Sequence, residues 1–388
     1  MSIAVPGLYA GAFLGSLVLS WGLTPLARRA ARRFGILDQP AANKSHTTPT
    51  PYLGGLAIVL AFCVAILVAS ALVASVFGAA NAAVAQLGVV LGLGAALSLT
   101  GLFDDLRGGL NPWLRLGLQL AVGVGVWAAG IGVGVLPWQA ANVAVTVVWV
   151  AGITNAFNLL DNMDGLAGGV AAIAAIAFFV IAAVNGQFLV AALAIAVAGC
   201  ALGFLRHNFH PATIYMGDAG SLFLGFMLAV IGILLTFQAS SGATFLVPVL
   251  VLGVAIFDTT LVTATRLRHG RSPVRGGRDH ISHRLVTVGI PVPAAVALIY
   301  LAAASLGWLA VVMAHSDLTT GLVMAAWLAA FAAVLGFLLT RVPVYDNCRH
   351  RHLVLTEVTA NDALAASAHQ PERGIDEPAE AVRHGQRL

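Results

Sequence analysis

The chain has 388 residues, of which 59% are hydrophobic and only 9% are charged, and its formal net charge is +4. Soluble domains carry about 25% charged residues, so the composition excludes a soluble protein and predicts an integral membrane protein. The three cysteines have the spacing of neither a metal site nor a disulfide framework. We expect no nucleic-acid partner.

Eleven apolar stretches are long enough to cross a bilayer as helices, since a span needs about 20 residues. They predict an all-α integral membrane protein. Gly11 with Gly15, and Gly88 with Gly92, have the small-xxx-small spacing that predicts close helix packing. In chain order the expected spans are roughly 3–27, 52–76, 84–103, 113–133, 139–157, 166–185, 187–205, 219–237, 243–265, 292–314 and 317–340.

The basic residues predict the orientation of these spans. With eleven spans, all the Lys and Arg residues fall on one side or at its edge, and the positive-inside rule makes that side the cytoplasm. We therefore expect the N-terminus outside and the C-terminus inside, in the plasma (inner) membrane. Residues 1–340 form the predicted membrane domain. Residues 341–388 form a polar cytoplasmic tail that is predicted to be disordered.

The first acidic motif is the pair Asp104 and Asp105 at the end of the third span. Adjacent carboxylates suit a divalent cation or a phosphate–metal complex, and without a cation they repel each other. The alternative is a pair of solvated acids at a helix end. Acids at a helix C-terminus oppose the helix dipole, so we favour a functional pair.

A second motif, Asp161 and Asp164, follows the fifth span with i, i+3 spacing. If a helix begins here, both carboxylates face the same way. The string Asp-x-x-Asp-Gly also opens the signature of the CDP-alcohol phosphotransferases. That signature continues with Ala-Arg and two later aspartates, which are absent after Gly165, so we reject this match.

A third motif surrounds Asp218 at the start of the eighth span, after a short polar loop that contains Asn208. Magnesium prefers one or two carboxylates together with substrate phosphate oxygens, so Asp218 is a candidate ligand. Equally, Asp218 could be a helix N-cap.

The loop 266–291 combines arginines with histidines, among them Arg271, Arg278, His280 and His283. Guanidinium and imidazole donors suit a diphosphate, although a basic inner-loop cluster would also explain the arginines. Zinc is disfavoured because neither a Cys nor an HExxH partner is present. The roles of two further residues remain open. Lys44 is either a phosphate ligand or a topogenic charge, and Asp258 is either a site acid or a buried structural one.

These motifs, in this order, resemble the polyprenyl-phosphate N-acetylhexosamine-1-phosphate transferases (glycosyltransferase 4 family). That family includes phospho-MurNAc-pentapeptide translocase and the undecaprenyl-phosphate GlcNAc-1-phosphate transferases. The resemblance covers about residues 1–340. It rests on Lys44 and His46 to Gly54–Gly55, the Asp104–Asp105 pair, Asn155 to Gly165, Asn208, Met216 to Ser221, and the loop ending at His283.

The resemblance implies transfer of a sugar phosphate from a UDP-sugar to a polyprenyl phosphate (undecaprenyl or decaprenyl), with release of UMP and a requirement for Mg²⁺, for which Mn²⁺ can substitute. It implies roles for the site residues as well, and a homodimer is compatible with it. Asp218, with Asp105 or Asn158, would bind the metal, and Asp104 would orient or deprotonate the lipid phosphate. The implied contacts to phosphate or nucleotide come from Lys44, Asn208, Arg271, Arg278, His280 and His283. The implied catalytic acids are Asp161 and Asp164, in addition to Asp104 and Asp105.

Two motifs depart from the family pattern. Ser282 stands where the histidine motif usually has another histidine, and Asp-Asn-Met-Asp-Gly replaces the commoner Asp-Gly-Leu-Asp-Gly at 161–165. The serine fits the pentapeptide-recognising branch poorly, so we expect UDP-GlcNAc as donor. The alternatives are phospho-MurNAc-pentapeptide transfer and, more remotely, a secondary transporter, which predicts inverted repeats and midplane acids.

Overall fold

The structure is a computed structural model that describes residues 4–39, 48–77, 81–235, 244–274 and 276–345. Helices dominate these residues, and one short antiparallel ladder pairs β1 (Leu37–Asp38) with β2 (Thr50–Pro51). The helices are α1 (Ala4–Arg33), α2 (Gly54–Phe77), α3 (Asn81–Arg107), α4 (Pro112–Ala128), α5 (Gln139–Leu160), α6 (Leu166–Val184), α7 (Phe188–Asn208), α8 (Gly217–Leu234), α9 (Val247–Val251), α10 (Gly253–Arg268), α11 (Ile281–Thr287), α12 (Val292–Ala314) and α13 (Leu318–Thr340).

The expected all-α membrane fold is confirmed, with two changes in the spans. Within the described residues, nine helices are individually long and apolar enough to cross a membrane. The predicted ninth span is a pair of helices, Thr244–Val251 and Gly253–Arg268, bent by 70°. The predicted fourth span is the 17-residue helix α4, which carries Arg115 in its first turn. The orientation of the N-terminus stays a prediction, and residues 346–388 of the expected tail lie outside the described part of the chain.

The glycines that bring helices together are different from those expected. In the described structure, a side chain at Gly88 or Gly92 would meet no atom within 4 Å, so the packing expected from their spacing is wrong within this chain. At Gly55 a Cβ would instead lie 2.2 Å from the backbone nitrogen of Gly220, and at Gly101 it would lie 2.4 Å from the carbonyl of Asp218. Helices α2 and α3 therefore approach the start of α8 at backbone contact.

Backbone hydrogen bonds hold the start of α8 against the segment that leads into α2. Gly54 and Gly55 donate to the carbonyls of Tyr215 and Met216 at 3.0 and 2.8 Å, and Tyr215 donates to Pro51 at 2.7 Å. These contacts give a structural reason for the glycine pair at 54 and 55, which packs against the Met216–Asp218 string. These bonds fix the first turn of α8, where Asp218 lies.

Candidate active site

The ends of α3 and α5, the start of α8 and the segment before α11 surround one cavity of about 820 Å³. The structure therefore brings together acids that are more than one hundred residues apart in the sequence. The cavity is lined by Asp38, Tyr52, Asp104, Asp105, Gly108, Gly109, Arg115, Asp161, Asn162, Met163, Asp164, Asn208, Tyr215, Gly217, Asp218, Gly276, Gly277, Arg278 and His283.

Arg115 is the residue that joins the acidic motifs. Its Nη1 lies 2.6 Å from Asp104 Oδ2 and 2.9 Å from Asp218 Oδ2, and its Nη2 donates to Asn158 Oδ1. Asn158 in turn donates through Nδ2 to Asp218 Oδ1 at 2.7 Å and to Ser221 at 3.0 Å. A planar guanidinium presents several donors in a fixed geometry, so one side chain sets the spacing of two carboxylates and an amide.

Asp105 accepts hydrogen bonds from the first backbone N–H groups of α8. Its Oδ1 lies 3.2 Å from the nitrogen of Asp218, and its Oδ2 lies 3.5 Å from that of Ala219. A carboxylate at a helix N-terminus is stabilised by the unpaired N–H groups and by the dipole. Gly217 has φ +70° and no room for a Cβ beside Asp105 Oδ2, which explains the glycine at this position.

The acids that follow α5 lie on a turn that is braced by Asn208. Gly165, with φ +77°, precedes α6 and donates its N–H to Asn208 Oδ1 at 3.1 Å, while Asn208 Nδ2 donates to the carbonyl of Ile214 at 3.0 Å. Asp164 Oδ2 accepts from His210 Nδ1 at 2.9 Å and from the Ala212 N–H at 3.0 Å. Asn208 is 2% exposed, so its amide holds the turn, although the residue also borders the cavity.

Asp161, in this turn, has a strongly perturbed ionisation. Removal from solvent, together with the nearby charges of Asp218 and Asp164, raises the pKa of Asp161 to about 7. The folded protein then holds a proton on this carboxyl between about pH 4 and pH 7 that the unfolded chain releases.

We expect Asp161→Asn to gain thermal stability relative to wild type as the pH rises from 5 to 7, because in metal-free wild type the unfolded state releases the proton of Asp161 more readily than the folded state does. The comparison between the two proteins separates this carboxyl from His283, whose lowered pKa acts in the opposite direction over the lower part of the range. Differential scanning fluorimetry of both proteins in EDTA measures the difference, with Asp317→Asn as a control at an exposed helix N-cap. Parallel pH curves for wild type and Asp161→Asn would contradict the assignment.

The loop 266–291 is organised by a buried ion pair and by hydrogen bonds from a buried arginine to backbone carbonyls. Arg266 and Asp279 are each 1% exposed and form a two-point contact at 2.8 and 2.7 Å. Arg284 donates to the carbonyls of Asp279 and Leu339 at 2.8 and 2.7 Å. Two of the arginines that the sequence attributes to a phosphate site or a topogenic cluster therefore hold the loop. Breaking such a buried pair costs about 3–5 kcal/mol.

Asp258, whose role the sequence left open, is 1% exposed and pairs with His280. His280 Nδ1 lies 2.7 Å from Asp258 Oδ2, and Asp258 Oδ1 accepts from the Ile281 N–H at 2.7 Å. His280 precedes α11, is 3% exposed and is not among the described residues that line the cavity. The phosphate contact expected of it stays a prediction. Asp258 is a structural acid that anchors α11.

The remaining expected phosphate ligands divide into three groups. His283 and Arg278 line the cavity. Arg271 is exposed and does not border the cavity as the described residues outline it. Lys44 lies outside the described residues.

The donor set fits a hard cation that shares its shell with a substrate. Among the described residues, no three His, Cys, Asp or Glu side chains converge in the manner of a complete metal cage. Asp105 and Asp218 nevertheless line the same cavity, and Asn158 is hydrogen-bonded to Asp218. Magnesium is commonly held by one or two carboxylates with substrate phosphates and water. In this structure Arg115 supplies the positive charge beside Asp218.

Sequence reasoning missed Arg115 and counted it only among the topogenic charges. The available signal was its position, since it follows Pro112 by three residues in a helix whose other side chains, apart from Gln119, are apolar. An arginine within a span is costly unless it is paired. Tyr52, which donates to the carbonyl of Asp105 at 2.8 Å, carried no comparable signal.

Comparison with known proteins agrees with the class that the fold and cavity define, a multi-pass membrane transferase. Residues 87–236 match the profile of glycosyl transferase family 4. The chain is 31% identical over 301 residues to a probable undecaprenyl-phosphate N-acetylglucosaminyl 1-phosphate transferase of Bacillus subtilis, covering 75% of this chain and 80% of that protein. The chain belongs to glycosyl transferase family 4.

Two further relatives come from different branches. A decaprenyl-phosphate N-acetylglucosaminephosphotransferase of Mycolicibacterium smegmatis is 32% identical over 319 residues, which cover 74% of this chain and 78% of that protein. A phospho-N-acetylmuramoyl-pentapeptide-transferase of Limosilactobacillus fermentum is 32% identical over 251 residues, which cover 61% of this chain and 76% of that protein. The similarity to GlcNAc-phosphate transferases extends over more of the chain.

Proposed function

We propose that this protein transfers GlcNAc-1-phosphate from UDP-GlcNAc to a polyprenyl phosphate, releases UMP, and so begins the membrane stage of cell-envelope polysaccharide synthesis. The observation that carries the proposal is the cavity at which Arg115 joins Asp104, Asp218 and Asn158. Relatives named for this reaction in B. subtilis and M. smegmatis support it. The acids lie at helix ends, which disfavours a transporter with midplane ion sites.

The site suits a reaction between two anions. Phosphoryl transfer depends mainly on alignment and charge stabilisation, and guanidinium donors bind phosphate oxygens in fixed geometry. In the proposed reaction an oxygen of the lipid phosphate forms a bond to the β-phosphorus of UDP-GlcNAc. The bond from that phosphorus to the oxygen of UMP breaks, and UMP leaves with the electron pair. Direct attack is favoured because a phosphate monoester near neutral pH is already a nucleophile.

The proposed cofactor is Mg²⁺, with Asp218 and Asn158 as ligands and Asp105 beside them. When bound there, the ion would neutralise charge on the diphosphate. The chain's own groups do the positioning: Arg115 orients Asp218, and Asp105 fixes the first turn of α8. Asp104 is 3% exposed, and its oxygens accept from the Leu110 N–H and from Arg115. In this arrangement Asp104 holds Arg115 beside Asp218 and Asn158.

The proposed placement is the plasma membrane, with the cavity facing the cytoplasm. A nucleotide sugar is soluble, whereas the polyprenyl tail stays in the bilayer, so a site at the inner rim meets both. The positive-inside distribution of Lys and Arg supports this orientation. A homodimer stays an expectation.

A UMP-release assay on the purified full chain tests the proposal. We expect UMP only when UDP-GlcNAc, undecaprenyl or decaprenyl phosphate, and Mg²⁺ are all present, with loss in EDTA and recovery with Mg²⁺ or Mn²⁺. Parallel reactions with UDP-GalNAc and UDP-MurNAc-pentapeptide give the donor preference. Turnover of UDP-MurNAc-pentapeptide alone would move the protein to the peptidoglycan branch, and no UMP from any donor would contradict the proposal.

A further inference from the structure

Two of the three residues at which this chain departs from the family pattern, Asn162 and Ser282, touch each other. Ser282 Oγ donates to Asn162 Oδ1 at 2.6 Å. Asn162 lies in the turn after α5 and borders the cavity, whereas Ser282 is in the first turn of α11 and is 1% exposed. A hydrogen bond this short between segments 120 residues apart indicates that the two departures work as a pair.

The direction of this hydrogen bond is fixed by the backbone. The side-chain amide of Asn162 donates through Nδ2 to the carbonyl of Leu159 at 2.8 Å. A carbonyl only accepts, so the amide nitrogen must face Leu159 and the amide oxygen must face Ser282. The hydroxyl proton of Ser282 is therefore committed to Asn162.

The same argument assigns the proton on His283. Ser282 Oγ lies 3.3 Å from His283 Nδ1. Because a hydroxyl carries one proton, which is already donated to Asn162, Ser282 can only accept from the imidazole. Nδ1 therefore carries the ring proton, and a neutral ring leaves Nε2 with a lone pair.

The surroundings of His283 keep this ring neutral. Burial, followed by the charges of His280 and Arg278, lowers the pKa of His283 to about 4. The resemblance implied that His283 holds phosphate, which a cationic ring would do through two N–H donors. A neutral ring whose free nitrogen accepts is unsuited to an ionised phosphate oxygen, and in the described part of the cavity Arg278 provides a cation nearby.

We propose that Asn162 and Ser282 are positioning residues that lock His283 in its Nδ1–H form, so that Nε2 accepts a hydrogen bond from a neutral N–H or O–H group of the nucleotide sugar. Sugar hydroxyls, the acetamido N–H and the uracil N–H belong to this class. The inference rests on the proposed function for its substrate. It makes the Asn162–Ser282 pair a determinant of donor binding in place of a second histidine.

Kinetics of single and double variants test the pair. We expect Ser282→Ala and Asn162→Ala each to raise KM for the UDP-sugar about tenfold, the effect of one hydrogen bond, with kcat and KM for the lipid phosphate nearly unchanged. The double variant should be no worse than either single variant, because the three side chains act as one unit. Ser282→Thr keeps the hydroxyl and should restore a near-normal KM.

The decisive comparison uses His283→Ala as background. If Ser282 acts through the imidazole, Ser282→Ala should add nothing to the His283→Ala defect. Ser305→Ala is the matched control, since that exposed hydroxyl bonds only to the Leu301 carbonyl of its own helix in the described structure. Additive effects of Ser282→Ala and His283→Ala, or an unchanged KM in Ser282→Ala, would overturn the proposal.

A readout without turnover separates this inference from the proposed function. In ¹⁵N-histidine-labelled protein, with the His283 signal assigned by its loss in His283→Ala, we expect Nδ1 protonated and Nε2 unprotonated in wild type, and a mixture of tautomers in Ser282→Ala. A wild-type ring protonated at Nε2, or a Ser282→Ala spectrum identical to wild type, would overturn the positioning role even in an inactive preparation. If the wild-type protein showed the expected His283 tautomer but turned over no donor, the proposed function alone would be contradicted.

Discussion

Replacing Asp218 with asparagine is expected to lower the rate of UMP release by about a thousandfold, the scale on which loss of one preorganised electrostatic group acts. The carboxylate lies in the first turn of α8, with Oδ2 on Arg115 and Oδ1 on the amide of Asn158. Asparagine has the same shape but no charge, so it loses the ion pair and the proposed Mg²⁺ ligand while it leaves the helix intact. The measurement is kcat at saturating substrates across a Mg²⁺ titration.

Asp317→Asn is the matched control for this variant. Asp317 also lies at a helix N-terminus, where it accepts from the N–H groups of Thr319 and Thr320, but it is exposed and far along the chain from the site. It should keep wild-type turnover. If Asp218→Asn retained more than about a third of the wild-type rate at saturating Mg²⁺, the placement of the metal at α8 would be wrong, because a lost charged ligand should cost several kcal/mol.

Replacing Arg115 with glutamine is expected to reduce kcat by about a hundredfold to a thousandfold and to lower the melting temperature. Without the guanidinium, Asp104, which is 3% exposed, and Asp218 lose their shared cation and repel each other. Arg115→Lys should recover little, since an ammonium cannot reach two carboxylates and the Asn158 oxygen in one plane. Steady-state kinetics and thermal melts of the three proteins measure both effects.

Arg107→Gln distinguishes a specific loss from a general loss of positive charge. Arg107 ends α3 close to the site in sequence, but it is exposed and lies over the ring of Phe103 at 4.6 Å. We expect near-normal turnover in this variant. Equal defects in Arg107→Gln and Arg115→Gln would mean that Arg115 contributes only to the net charge of this face, and the central role given to it would fail.

The spans could be predicted from the sequence because each is a local property: an apolar run must form a helix to satisfy its backbone in lipid. The acidic motifs were equally visible, since charge at a span end is rare and costly. Asp104, Asp105, Asp161, Asp164 and Asp218 were all named, and the structure gathers them around one cavity.

Contacts between distant segments could not be predicted, because they depend on how each helix is rotated about its axis. Arg115 appears in sequence as one more basic residue at a membrane edge, and only the approach of α4 to α3 and α8 shows that it bridges two acids. The same holds for Asn162 and Ser282, which appeared as unrelated departures from a pattern. Glycine spacing misled for this reason too: regular spacing marked Gly88 and Gly92, whereas backbone contact occurs at Gly55.

One hydrogen bond connects the site with a helix whose surface is covered by the lipid or detergent of an assay. Tyr300 donates to the carbonyl of Gly165 at 2.6 Å. On the same helix, α12, Leu301 and Trp308 are apolar and exposed. The turn that carries Asp161 and Asp164 is therefore a single hydrogen bond away from a surface that lipid or detergent must cover. A micelle that displaces α12 would disturb that turn directly, so activity should be compared between micelles and nanodiscs before any variant is judged.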